Sequence, residues 1–188
     1  MSRFSDYLDI ISQVNDLSFG LGNDQKVQWL FHCGMLFSSK DKWWGDFKFR
    51  HSVHEGIDIT YYRIHPEKMQ CFDDSIKVPA MDDGIILNIC DDFLAQTLVV
   101  EHESSISSSK RVLFAYAHII PEKGLKIGHV IQKKDVIARV CDTHKNPHLP
   151  PHLHFSCLET SKSILPECLN WSLFTTHPDI NLINPIFL

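Results

Sequence analysis

The sequence predicts a mainly β, α+β protein: an antiparallel sheet domain with a short helical and aromatic extension at its N-terminus. Three observations predict it. Runs of β-branched and aromatic residues recur from about residue 51 onward. Turn-forming clusters punctuate those runs. The spacing between runs leaves no room for the crossover helices that a parallel sheet requires, so neighbouring strands should run antiparallel. A chain of 188 residues is expected to form one domain. It reads as an extension over 1–50, a sheet domain over 51–160 and an irregular C-terminal tail over 161–188.

Taken in order, residues 4–17 have helical spacing, with Phe4, Leu8, Ile11 and Val14 on one face. Ser5 is placed to cap this helix, Asp6 and Asp9 suit its positive end, and Gly20 and Gly22 should end it. Residues 26–50 are crowded with Trp29, Phe31, Phe37, Trp43, Trp44, Phe47 and Phe49. Such residues either pack as a cap or line a groove, and packing is the commoner use. Strands are expected at Ile57–Tyr62, Gly84–Cys90, Thr97–Glu101, Val112–Ala117, Val136–Cys141 and His152–Leu158. Turns are expected at Asp82-Asp83-Gly84, Pro121–Gly124 and Asn146-Pro147, with a polar loop over Glu103–Lys110. Pro178 and Pro185 make the last segment read as irregular.

Composition narrows the function classes. The formal net charge is −5 and no Lys/Arg block occurs, which argues against a nucleic-acid partner. No stretch is long enough for a membrane span. The six cysteines form no C-x-x-C pair, and they make no convincing thiol-nucleophile site. The N-terminal segment has early acids and no unbroken apolar run, unlike a signal peptide. Reduced thiols and a cytoplasmic location are therefore expected. No feature of the sequence fixes an oligomeric state.

The chemistry lies among the 12 histidines. Three strings stand out: His54-Glu55-Gly56-Ile57-Asp58, Tyr116-Ala117-His118, and Pro151-His152-Leu153-His154-Phe155. They offer imidazoles and a carboxylate in the numbers a hydrolytic zinc site uses, three ligands with side chains left to move protons. Each string also has a plain reading. His152 and His154 share one strand face, roughly 6.6–7 Å apart, which suits one ligand and one neighbouring base, or two solvated polar residues. His54 and Asp58 could close on a metal through a bend at Gly56, or belong to a surface loop. The first string half-matches H-E-x-x-H, but Gly56 and the strand-like continuation argue against Glu55 as a helix-borne base. His118 ends an apolar strand before a turn.

Their joint order resembles the LytM/lysostaphin-type zinc metallopeptidases. The likeness extends to Val78-Pro79-Ala80 with Asp83-Gly84-Ile85-Ile86, to Gly124–Gly128, to Lys134–Ala138 and to Asn184-Pro185, and covers about residues 50–158. It implies zinc bound by His54, Asp58 and His154, and it assigns His118 and His152 to catalysis. Two neutral imidazoles and one carboxylate would leave the site at net +1, so the ion stays a Lewis acid able to bring the pKa of its water to ~7. His152 is expected to orient or deprotonate the water, and His118, if protonated, to stabilise the oxyanion; the sequence does not separate these two roles.

The resemblance implies an endopeptidase acting on peptidoglycan peptides, or on another peptide substrate. Two other readings stand beside it: a hydrolase of this fold with an intracellular, non-wall substrate, and a non-catalytic binding module. The sequence departs from the family in its missing export signal, in Pro150-Pro151 where Gly-Pro is usual before the first histidine of the last pair, and in the glycines missing around Ala138. A wall substrate would place the protein in the cell envelope by another route or after removal of a signal.

Overall fold

The computed structural model describes residues 2–17, 26–65, 68–106, 110–144 and 148–188. Gly20, Gly22 and the Asn146-Pro147 turn lie outside them. The chain begins with helix α1 (Arg3–Val14), followed by strands β1 (Gln28–Leu30), β2 (Ile57–Ile59), β3 (Tyr61–His65), β4 (Lys68–Gln70) and β5 (Lys77–Pro79). The long strands come next: β6 (Gly84–Asp91), β7 (Gln96–Ile106) and β8 (Lys110–Pro121). Strands β9 (Val130–Ile131), β10 (Val136–Val140) and β11 (Leu153–Ser161), helix α2 (Trp171–Thr176) and strand β12 (Ile180–Ile183) complete the fold.

Among the described residues every strand pairing is antiparallel, as expected. The main sheet has nine strands and runs β12-β11-β8-β7-β6-β9, with β2 also on β11 and β10 bridging β8 and β5. A small sheet, β1-β3-β4, stands beside it. The expected run Ile57–Tyr62 is thus shared between two sheets. It breaks at Thr60, whose hydroxyl donates to the Pro151 carbonyl at 2.8 Å and accepts from the Phe72 N–H at 3.2 Å.

Strand alternation divides β11 between two cores. Leu153, Phe155 and Cys157 face the larger core with Ile57, Ile59, Phe114 and Tyr116. Helix α1 covers that core with Phe4, Tyr7, Leu8 and Ile11, and the Tyr7 ring lies 4.9 Å from that of Phe155. Leu158, together with Val99, Leu113 and Ala115, faces a smaller core closed by Leu169, Phe174 and Ile180. By the same alternation His152, His154 and Ser156 lie on this second face, toward the end that the smaller core leaves open.

Three local readings change. The α1 cap is Ser2, whose hydroxyl accepts from Ser5 N–H, because the helix starts earlier than the apolar spacing suggests. The polar stretch expected as a loop is strand as far as Ile106 and again from Lys110, since cross-strand pairing with β8 outweighs its weak local propensity. The last segment is not an irregular tail. Asn170 caps α2 through Leu173 N–H, and β12 pairs with β11 from Cys157↔Ile183 to Thr160↔Ile180. Pro178 falls between these elements and Pro185 after them, where neither interrupts a ladder.

Candidate active site

The register of β11 brings the site together. His154 stands opposite Asp58 of β2 on one side and opposite Ala117 of β8 on the other. His54 precedes β2 and is fixed by its backbone: its N–H donates to Ser39 O at 2.9 Å, and its carbonyl accepts from Ser38 N at 2.8 Å. Gly56 is required by close approach, because a β-carbon there would overlap Ser156 Oγ and the Phe155 carbonyl. Any larger residue would push His54 and Asp58 away from β11.

Three buried atoms converge. His54 Nε2 lies 3.1 Å from Asp58 Oδ1 and 3.0 Å from His154 Nδ1, and His154 Nδ1 lies 2.8 Å from Asp58 Oδ1. The other His54 nitrogen, Nδ1, faces Leu36 O at 3.1 Å. A carbonyl only accepts, so Nδ1 carries the hydrogen and Nε2 presents a lone pair to the cluster. His154 Nε2 is 2.9 Å from Ser156 Oγ, which can accept its hydrogen and leave Nδ1 as a second lone pair. Two lone pairs and a carboxylate oxygen pointed at one another suit a cation. Ligands of a tetrahedral zinc with bonds of ~2.0–2.1 Å stand roughly 3.3–3.4 Å apart, so this cluster fits zinc with an outward adjustment of a few tenths of an ångström.

The Asp58 carboxylate is held from behind. Its Oδ2 accepts from Trp43 Nε1 at 2.6 Å and from the Arg50 guanidinium at 3.2 Å, leaving Oδ1 for the cluster. Arg50 also donates to Gly34 O at 2.8 Å and lies 4.4 Å over the Trp44 ring. Supports of this kind orient ligands and tune their basicity. The aromatic segment before residue 50 therefore serves both uses weighed for it: Trp43 is buried, and Trp44 lines the cavity.

His118 and His152 flank the cluster. His152 Nδ1 faces Pro150 O at 2.9 Å, which leaves Nε2 toward the site, 3.8 Å from Asp58 Oδ1. His118 Nδ1 lies 3.0 Å from Asp92 Oδ1, and the rings of His118 and His152 are 4.9 Å apart. These groups sit in a cavity of about 420 Å³ walled by Trp44, Phe93, Leu149 and Trp171. Glu55 also lines the cavity wall, but no hydrogen bond joins it to the five residues among those described.

Burial decides the protonation states. It raises the Asp58 carboxyl, but the surrounding His54, His152 and His154 outweigh it, so Asp58 is held well below the usual carboxylate range. Burial pushes His152 and His154 down to about 4 in spite of Asp58. It also lowers His118, against the opposing hydrogen bond to Asp92. All three imidazoles are thus neutral near pH 7, the form that binds metal or accepts a proton. A charged His118, as its oxyanion role would require, is not the resting form. Burial likewise pushes the Cys141 and Cys157 thiols up to about 11 and about 12, so neither is a ready nucleophile.

The same shifts predict the pH response of the zinc-free protein. His102 is buried on the opposite face, with Nε2 2.8 Å from the Tyr116 hydroxyl, and burial pushes it down to about 4 as well. Unfolded histidines titrate near ~6.5, so between that pH and about 4 the unfolded chain binds more protons than the folded one. Stability is therefore full above the unfolded value and falls as pH drops toward the folded one. A urea midpoint that declines steadily across this window is expected; a flat one would contradict the buried neutral histidines.

No family model matches the chain, and no curated protein matches it. Solved structures are similar. The catalytic domain of the antimicrobial peptidase lysostaphin from Staphylococcus simulans is 14% identical at TM-score 0.43, with 77% of this chain and 86% of that one covered. A zinc-containing peptidase from Vibrio cholerae is 20% identical at TM-score 0.42, over 69% of this chain but 32% of that one. The catalytic domain of the prophage-encoded M23 protein EnpA from Enterococcus faecalis is 12% identical at TM-score 0.42, over 78% of this chain and 92% of that one. At these identities and TM-scores the likenesses say nothing about activity or substrate.

The remaining histidines have other surroundings. His144 pairs with Asp142 at the surface, and His148 is exposed, with its carbonyl accepting from Gly45 N at 3.3 Å. The sequence did not reveal Arg50, Asp92, Ser156 or Trp171 as parts of the site. Only Ser156 carried a signal, being two residues from His154 on the same strand face.

Proposed function

We propose that this chain is a zinc-dependent metallopeptidase, with peptides of peptidoglycan as its substrate class. The observation that carries the proposal is the convergence of His54 Nε2, Asp58 Oδ1 and His154 Nδ1 to within 2.8–3.1 Å of one another. These three residues would hold the ion. Zinc, when bound, supplies a Lewis acid that polarises a carbonyl and acidifies water.

The chain's own residues supply the rest. His152 and His118 each have Nδ1 engaged by an oxygen acceptor, so in the neutral ring each turns a basic Nε2 toward the cavity. One of them takes the proton of the attacking water, and the ring so charged can return it to the leaving amine. The other stands ready to donate to the developing oxyanion once protonated. The aromatic walls exclude water around the scissile bond, which strengthens each of these interactions. The motif order of the sequence, shared with wall-cleaving peptidases, supports the substrate class.

The test is incubation of the zinc-loaded protein with peptidoglycan fragments carrying glycine bridges or direct cross-links, with mass analysis of the products. New amine and carboxylate termini that vanish on chelation and return with zinc are expected. No cleavage of either substrate by protein containing one zinc per chain would overturn the proposal.

A further inference from the structure

We propose that Asp92 is the positioning residue for His118, fixing which ring nitrogen of His118 faces the cavity, and that Thr97 holds Asp92 in that role. The inference rests on the peptidase reading for its catalytic consequence, although the geometry stands by itself.

Asp92 lies in the turn between β6 and β7, and its side chain is 1% exposed. Oδ1 accepts from Leu94 N and Ala95 N, both at 2.9 Å, and faces His118 Nδ1 at 3.0 Å. Oδ2 accepts from His118 N at 2.9 Å and from the Thr97 hydroxyl at 2.8 Å. One carboxylate therefore grips His118 at both its ring and its backbone. Capping the turn requires only Oδ1; the remaining contacts serve His118.

The backbone shows why such a grip is needed. Between the pairs Leu98↔Tyr116 and Gln96↔Ile119 the β7–β8 ladder shifts register, so Ala117 and His118 together face Thr97 alone. This is a bulge, which re-aims a side chain and leaves an N–H without a ladder partner. His118 adopts φ +62°, in the left-handed region that non-glycine residues rarely enter. Asp92 Oδ2 takes the N–H so released, and Oδ1 fixes the ring that the bulge has turned. Thr97, opposite the bulge, accepts from Trp171 Nε1 at 2.8 Å and donates to Asp92. A chain of hydrogen bonds thus runs from α2, through Thr97 and Asp92, to His118.

A carboxylate can only accept, so His118 must carry its hydrogen on Nδ1 and present a lone pair at Nε2. Asparagine at position 92 has one accepting oxygen where Asp92 has two, so it cannot satisfy the ring, the His118 N–H and the turn N–H groups together, and its hold on the Nδ1–H tautomer is weaker. The nearest comparison is a triad aspartate replaced by asparagine, where loss of the right tautomer costs roughly 10⁴-fold in kcat.

The experiment is ¹⁵N NMR of the zinc-loaded full chain near neutral pH, with the His118 signals assigned by their absence in His118→Ala. A pyridine-type Nε2 and a pyrrole-type Nδ1 are expected in the wild type, a measurement that needs neither a variant at position 92 nor peptidase activity. Asp92→Asn should weaken the preference for hydrogen on Nδ1 and lower kcat by roughly 10²–10⁴-fold at little-changed KM and unchanged zinc content. In the His118→Ala background it should cost nothing further. Thr97→Val should shift the tautomer balance in the same direction by less. A pyrrole-type Nε2 in the wild type overturns the proposal, as does an equal loss of turnover from Asp92→Asn with and without His118. If the chain cleaves no peptidoglycan, the nitrogen assignments still decide the positioning claim while the peptidase reading falls separately.

Discussion

Asp58→Ala is expected to lose zinc and turnover together. The substitution removes the one anionic donor of the cluster and leaves Arg50 beside two imidazole nitrogens that lie 3.0 Å apart. An uncompensated guanidinium at that spot opposes a divalent cation directly. Replacing residues that merely support a ligand typically costs about 10–100-fold in metal affinity, so loss of the ligand itself should exceed that range. Zinc content after dialysis against a weak chelator, read beside turnover, measures it. Zinc retained at one per chain in Asp58→Ala would exclude Asp58 as a ligand.

His152→Ala should behave in the opposite way. His152 Nε2 sits 3.8 Å from Asp58 Oδ1, beyond the distances within the cluster, and its Nδ1 is engaged by Pro150 O. Removing the ring leaves His54, Asp58 and His154 in place. Zinc should stay at the wild-type level while kcat falls by roughly 10²–10⁴-fold, the usual contribution of a positioned acid or base. Equal zinc loss in His152→Ala and Asp58→Ala would mean that ligand and catalyst have been exchanged. The contrast is informative because His152 and His154 are so alike in sequence, two residues apart on one strand face.

The order of the three histidine strings was legible because it is a matter of chain position. Their convergence depends on register, which local sequence does not carry. His154 meets Asp58 only because β2 pairs with β11 at that residue, and it neighbours His118 only because β8 pairs at Ala117. Asp92 was invisible for the same reason. It reads as one more acid in a turn until the β7–β8 bulge swings His118 onto it. Trp43 and Arg50 reach Asp58 from a segment whose aromatic content pointed only to packing.

The strands were easier to read, since β6, β7 and β8 each contain an expected run of β-branched and aromatic residues, and β10 and β11 each hold all but one residue of one. The C-terminal segment was misread because two prolines outweighed signals that were present: Asn170 as a helix cap, and the alternating apolar residues of Ile180–Ile183. That segment also reaches the candidate site. Trp171, on the short helix, packs at 5.2 Å from the His154 ring and donates to the Thr97 hydroxyl behind Asp92.

His54, Asp58 and His154 form the proposed zinc site. X-ray absorption at the zinc edge of the loaded protein tests it most directly. The expected spectrum contains scattering from two imidazole rings with otherwise oxygen neighbours, and no sulfur. A zinc–sulfur shell at ~2.3 Å, the signature of cysteine ligation, or a protein that takes up no zinc at all, would contradict it.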